Sequence, residues 1–130
     1  MTLLAFDTCF GACSVAVLAK GRLTARFEKM RTGHAERLMP MIAETMAAAG
    51  LAFAELERIA VTVGPGSFTG VRVGIAAARG LRLALAKPVA TATSLELATA
   101  TARTCLAASG SSAQDARRLA VAIEARRLPD

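Results

Sequence analysis

The sequence of 130 residues lacks tryptophan and tyrosine and contains only five phenylalanines. Hydrophobic residues nevertheless make up 54% of the chain, which is typical of a globular protein and not of a disordered one. The core must therefore be built from alanine and branched aliphatic side chains. The length predicts a single domain with a modest core.

Cysteine is also scarce. The three cysteines are Cys9, Cys13 and Cys105, and their odd number and the absence of C-x-x-C spacing argue against a disulfide framework or a structural zinc site. The longest apolar stretch, residues 74–86, is interrupted by two arginines, and the first seven residues, M-T-L-L-A-F-D, have no basic flank. We expect neither a membrane span nor a signal peptide, and we expect a cytoplasmic protein.

The formal net charge of +6 raises the possibility of a nucleic-acid ligand. The basic residues, however, are spread over positions 20–127 and do not form one tract. Tight binding of nucleic acid by this chain alone is therefore not predicted.

Apolar periodicity predicts an α/β chain. Strands are expected at 3–6, 13–18, 22–28, 56–63, 88–92 and 118–125, and helices at 35–49, 69–86 and 93–108. In the third strand Leu23, Ala25 and Phe27 alternate with polar residues, which indicates a half-buried strand. Lys20-Gly21 has the length of a two-residue hairpin.

The resulting order, β-β-β-α-β-α-β-α-β, predicts a three-stranded antiparallel meander followed by two parallel strands. This is the ribonuclease-H-like order, which is also the half-unit of actin-like ATPases. We expect one such lobe, with a mixed five-stranded sheet, at residues 1–117. Residues 118–130 would then begin a second lobe whose remainder is missing.

A glycine-rich loop lies between the fourth strand and the second helix, in V-T-V-G-P-G-S-F-T-G-V-R-V-G at 61–74. Its spacing matches neither the P-loop nor G-x-G-x-x-G, and Ser67 lacks the flanking glycines of a G-x-S-x-G nucleophile. We interpret the loop as a turn in which Ser67 or Thr69 caps the helix, while Gly70 and Gly74 allow close packing. A weakly bound phosphate stays open as an alternative, with Asp7, Thr8, Gly64, Gly66 and Ser67 as its candidate contacts.

Asp7, at the end of the first strand, occupies the position of the first metal carboxylate in ribonuclease-H-like nucleases. A two-metal site needs further acids, and the fourth strand ends in Val63-Gly64 without one, which argues against a nuclease. His34 is the only histidine, so it cannot form a metal site on its own, and we expect it at the surface. We assign no catalytic and no metal-binding residue.

Four segments together resemble the bacterial TsaB (formerly YeaZ) family: L-L-A-F-D-T-C-F-G-A-C-S-V-A-V, H-A-E-R-L-M-P-M-I, G-P-G-S-F-T-G-V-R-V-G-I-A-A-A-R-G-L and L-A-V-A-I-E-A-R. The resemblance implies a non-catalytic member of the actin-like superfamily that pairs with TsaD, the subunit that threonylcarbamoylates adenosine 37 of tRNA. It also implies self-pairing in the absence of TsaD, TsaE in a larger complex, and contact with tRNA only through that complex. The chain would have no cofactor of its own, although ATP or ADP with Mg²⁺ is possible at the complex interface.

The resemblance further implies that the helices at 35–49 and 69–86 form the contact with TsaD. The residues expected there are Leu38, Met39, Met41, Ile42, Met46, Val71, Arg72, Gly74, Ile75 and Arg79. Ordinary core packing explains the methionines equally well. The alternative function is an enzyme, either an ATP-dependent phosphotransferase or a metallopeptidase of the M22 type, since older names describe the family as glycoprotease homologues.

Overall fold

The computed structural model describes residues 1–110. Its strands are β1 (Leu3–Asp7), β2 (Ala12–Ala19), β3 (Arg22–Lys29), β4 (Arg58–Thr62) and β5 (Val89–Ala92), and its helices are α1 (His34–Ala49), α2 (Phe68–Leu85) and α3 (Ser94–Ala108), with a short 3₁₀ turn at Phe53–Glu55. The strand predicted at 118–125 and the second-lobe segment at 118–130 lie outside the described residues. The other predicted elements are confirmed, with small shifts at their ends.

The sheet has the order β3-β2-β1-β4-β5. β1 is antiparallel to β2, with Asp7 opposite Ser14, and parallel to β4, with Phe6 opposite Val61. β4 and β5 are also parallel. The ribonuclease-H-like lobe with a mixed five-stranded sheet is therefore confirmed, and β1 lies at its centre.

Local sequence signals set the ends of several elements. In the β2–β3 hairpin both turn residues have positive φ, 51° at Lys20 and 74° at Gly21, as a two-residue turn with the twist of the strands requires. Gly50 ends α1 in the left-handed conformation. Thr93 and Glu96 form the predicted capping box at the start of α3.

The core lies between one face of the sheet and helices α1 and α2. Its strand residues include Leu4, Val15, Val17, Ile59 and Val61, and its helix residues include Leu38, Met41, Ile42, Met46, Ala78 and Leu81. The core is largely aliphatic, as the composition predicted. Hydrophobic burial on this one side supplies the main stabilisation of the lobe.

The prediction of a half-buried β3 was wrong. Ala25 pairs with Ala16, and this register places the apolar side chains of β3 on the sheet face opposite α1 and α2. Leu23 and Phe27 are both 68% exposed. Within residues 1–110 this face borders a cavity of about 390 Å³, with Leu97 of α3 at its margin. The alternation correctly separated the apolar side chains of β3 from the polar ones. It did not show which of these two faces packs against other residues of the described lobe.

The polar face of β3 lies toward α1. Arg37 of α1 bonds Glu28 of β3 at 2.8 Å and Glu44 through two nitrogens at 2.8 and 3.0 Å. The hydrogen bonds from Arg37 hold the pKa of Glu44 below its usual value and raise the pKa of the guanidinium. Arg26 lies 3.7 Å from Glu44. This network joins the first helix to the edge strand at the protein surface.

No helix in the part of the chain that the structure describes is long and apolar enough to cross a bilayer.

Candidate functional site

The glycine loop packs against the loop that follows β1. A Cβ atom added at Gly66 would lie 2.3 Å from the carbonyl oxygen of Cys9, and one added at Gly70 would lie 2.0 Å from that of Thr8. At Gly74 a Cβ would lie 2.9 Å from Thr8 Oγ1. These positions therefore need glycine because α2 approaches the backbone at the end of β1 closely.

Hydrogen bonds fix this contact. The buried hydroxyl of Thr8 donates to the carbonyl oxygen of Gly70 at 2.6 Å, and the Ser67 amide donates to the Cys9 carbonyl oxygen at 2.7 Å. Ser67 also caps α2, because its hydroxyl accepts from the Gly70 amide at 3.1 Å. The interpretation of the loop as a turn that seats a helix is confirmed, and the capping residue is Ser67.

The five candidate phosphate contacts lie together at the carboxyl edge of the sheet, but several of their polar groups are engaged. Thr8 and Ser67 make the hydrogen bonds just described, and Gly66 faces the Cys9 backbone. The Asp7 carboxylate accepts from the Cys9 amide at 3.0 Å and from the Thr62 hydroxyl. The phosphate site stays a prediction.

Beside Asp7 lies a second cavity, of about 370 Å³, under the first turns of α3. Its wall includes Ser94, whose amide donates to the Gly64 carbonyl oxygen at 2.9 Å. The buried Ser94 hydroxyl has no hydrogen-bond partner among the described residues. The remaining lining is mostly apolar, from Phe10, Leu97 and Ala98. Across residues 1–110 no group of three or more His, Cys, Asp or Glu side chains is placed to bind a metal ion.

The expectation that His34 lies at the surface was wrong. Its side chain is buried in the first turn of α1, and Nε2 lies 2.9 Å from the carbonyl oxygen of Phe10. The ring thus joins the start of α1 to the β1–β2 loop. Sequence reasoning missed this role because a single histidine carries no signal of its tertiary partner.

Of the partner-binding residues predicted on α1, only Met39 is available at the surface. It is 43% exposed, whereas Leu38, Met41, Ile42 and Met46 belong to the buried core at 1% exposure or less. The open question about the methionines is thereby resolved for Met41 and Met46, which pack inside this chain. A partner cannot contact these four side chains without displacing them from the core.

Helix α2 does present an outward surface. Its buried residues are Gly70, Gly74, Ala78 and Leu81, and the predicted Val71 and Ile75 are partly buried at its flanks. The opposite side carries an exposed row at spacings of four, four, three and four residues, which we call the α2 outer stripe: Phe68, Arg72, Ala76, Arg79 and Leu83. Such spacing keeps side chains on one face of a helix.

The ends of the α2 outer stripe are large apolar side chains. Phe68 is 76% exposed and Leu83 is 85% exposed, and the Arg72 guanidinium lies 4.8 Å from the centre of the Phe68 ring. Arg72 and Arg79 were predicted for this surface from the sequence, whereas Phe68 and Leu83 were missed. The spacing of the stripe was the signal that would have found them.

Comparison with known proteins places this geometry in a family. Residues 28–126 match the family model of TsaD, tRNA N6-adenosine threonylcarbamoyltransferase. Over 89 residues the chain is 46% identical to the tRNA threonylcarbamoyladenosine biosynthesis protein TsaB of Haemophilus influenzae and 40% identical to that of Escherichia coli, in each case over 68% of this chain and 38% of the relative. The chain belongs to the TsaB (YeaZ) branch of the TsaD family.

The solved structure of YeaZ from Pseudomonas aeruginosa superimposes with a TM-score of 0.76 at 40% sequence identity. The match covers 84% of this chain and 50% of that structure. This confirms the fold and the TsaB resemblance seen in the sequence. The chain therefore spans well under half of the length of these curated TsaB relatives and half of the solved YeaZ chain.

Proposed function

We propose that this chain is a non-catalytic binding subunit in the formation of N6-threonylcarbamoyladenosine at position 37 of tRNA, and that it acts by pairing with TsaD. The names of its curated relatives and of the matching family model support the pathway. The observation that carries the binding role is the α2 outer stripe, where two large apolar side chains lie in solvent although they belong to a well-packed helix.

Exposure of this kind has an energetic consequence. Covering a fully exposed Phe or Leu side chain contributes about 1.5–3 kcal/mol to binding. A partner that covers both Phe68 and Leu83 therefore gains a large part of the binding free energy that corresponds to a micromolar dissociation constant. A second helix laid along α2 is the simplest cover, since the stripe follows one helix face. Met39 of α1 is a further exposed apolar side chain of the lobe.

The resemblance to TsaB supports the rest of the proposed assembly. TsaD supplies the reacting groups, TsaE joins the larger complex, and tRNA is held through that complex in the cytoplasm. A second copy of this chain takes the place of TsaD when TsaD is absent. ATP or ADP with Mg²⁺ binds at the complex interface, and the Asp7 edge with its neighbouring cavity is the part of this chain that we assign to that ligand.

The test is a direct binding measurement between the purified chain and TsaD of the same organism. Wild type is expected to form a one-to-one complex on a sizing column, and the affinity is then measured by titration calorimetry. Leu83→Glu should weaken that affinity about tenfold or more, because the introduced carboxylate must be desolvated against an apolar contact.

Leu23→Glu is the matched control. Leu23 is another exposed leucine, but it lies on β3, away from α2, and its substitution should leave the affinity unchanged. Both variants should keep the circular dichroism spectrum of wild type. Equal affinity of Leu83→Glu and wild type would refute the assigned surface. Turnover of ATP or of a peptide by the purified chain alone would favour the enzyme alternative.

A further inference from the structure

Positive charge is concentrated on the β2–β3 hairpin and on the residues that follow it. Residues 20–31 contain five basic residues and one acidic residue, so they carry four of the six net positive charges of the chain. Lys20 and Arg22, which we call the hairpin pair, lie at the turn, and Lys29 and Arg31, the distal pair, lie at the other end of β3; all four are exposed. β3 has eight residues, so its ends lie about 23 Å apart at roughly 3.3 Å per residue.

The acidic side chains near β3 do not neutralise these two pairs. Arg37 bonds Glu28 at 2.8 Å and Glu44 at 2.8 and 3.0 Å, and Arg26 lies 3.7 Å from Glu44. In the part of the chain that the structure describes, neither the hairpin pair nor the distal pair forms an ion pair. Glu36, in the first turn of α1, offsets at most one of the four charges. The surface network thus engages the acids of this region and leaves the two cation pairs in solvent.

We propose that the hairpin pair and the distal pair contact the phosphate backbone of tRNA, so that this chain touches the RNA directly within the complex. The inference rests on the proposed function and adds the part of the chain that meets the RNA. A nucleic-acid strand presents phosphate charges at short, regular intervals, so cation pairs about 23 Å apart reach separate phosphates of one molecule. Contacts to the backbone position a nucleic acid and do not read its sequence.

So few phosphate contacts give weak binding on their own. Four cations release about four counterions at most, so the isolated chain should bind RNA only at low salt, with a dissociation constant on the order of 10⁻⁴ M. This agrees with the absence of one long basic tract in the sequence. The contact becomes effective when TsaD holds the same RNA, because the second binding event is then intramolecular.

The test removes one pair at a time. Lys20→Asn/Arg22→Gln removes the hairpin pair, and asparagine is chosen at position 20 because it tolerates the positive φ of 51° found there. Lys29→Gln/Arg31→Gln removes the distal pair. Fluorescence anisotropy measures how the full chain in complex with TsaD binds unmodified tRNA over a range of salt concentrations. Each double variant should weaken binding about five- to tenfold at low salt and reduce the slope of log affinity against log salt by about 1–2. Binding of TsaD and the circular dichroism spectrum should stay as in wild type, because neither pair lies on α2.

Arg58→Gln/Arg103→Gln is the matched control. It removes the same number of positive charges from exposed sites on β4 and α3, and it should leave the affinity for tRNA and the salt slope near their wild-type values. An equal loss in this control would show a response to net charge alone and would overturn the inference.

Two other results would also overturn it. One is wild-type affinity and salt slope in both test variants. The other is binding of a polyglutamate peptide by the isolated chain at low salt more tightly than binding of RNA, which would assign the pairs to an acidic protein. A chain that forms no complex with TsaD would instead contradict the proposed function, while titration of RNA into the isolated chain and its variants at low salt would still decide whether these pairs bind phosphate.

Discussion

Replacing Gly70 by alanine tests the close contact between α2 and the end of β1. In an ordinary helix interior this change stabilises a protein by about 0.5–1 kcal/mol, because alanine has the higher helix propensity. Here the added Cβ would lie 2.0 Å from the carbonyl oxygen of Thr8, far inside van der Waals contact. Either α2 or the backbone after β1 must move.

The cost of that movement can be bounded. Forcing an extra methyl group into a packed region costs about 1–3 kcal/mol, and moving α2 outward also weakens the 2.6 Å hydrogen bond from Thr8 to Gly70, worth about 1 kcal/mol. After subtraction of the helix-propensity gain, Gly70→Ala should lower the free energy of unfolding by about 1–3 kcal/mol. The melting temperature should fall by several degrees.

Gly80→Ala is the matched control, since Gly80 lies in the same helix and an added Cβ would meet nothing within 4 Å. It should raise the free energy of unfolding by about 0.5–1 kcal/mol. Urea unfolding of the full chain, followed by circular dichroism, gives both values. If Gly70→Ala proved as stable as Gly80→Ala, the account of the glycine loop as a tight packing contact would be refuted.

Three further measurements probe other contacts. Ser67→Ala should lower the free energy of unfolding by about 0.5–2 kcal/mol through loss of the helix cap, and Ser67→Asp should restore it. Burial raises the pKa of the Cys13 thiol, so a maleimide should label exposed Cys105 in the native protein and label Cys13 only after unfolding. Arg37 lowers the pKa of Glu44 from its usual 4.5; the ion pair stabilises the fold above that pH and is lost as the pH falls through the lowered value. Glu44→Gln should therefore reduce the acid sensitivity of urea unfolding, and an unchanged pH dependence would contradict this role.

Much of the fold could be predicted because its signals are local. The Lys20-Gly21 turn, the Gly50 helix end and the capping box at Thr93 each depend on a few neighbouring residues, and the order of strands and helices then leaves few topologies. The close approach of Gly70 and Gly74 was also predicted, because two glycines four positions apart leave one side of a helix without side chains.

The predictions that failed concern which side chains are buried by tertiary packing within the described lobe. The alternation in β3 separated Leu23 and Phe27 from Arg26 and Glu28. The pairing with β2 and the position of α1, however, place Arg26 and Glu28 on the sheet face that lies toward α1. The α1 periodicity likewise identified an apolar face without showing that this chain buries it. His34 gave no signal, because its partner is a backbone carbonyl group 24 positions earlier in sequence.

The clamp between Thr8 and α2 has a mechanical consequence. Gly66 and Gly70 pack directly against the backbone of residues 8 and 9. The helix therefore cannot shift along its axis unless the end of β1 moves with it. A displacement of α2 would therefore also displace Thr8, the residue that follows Asp7 in the chain.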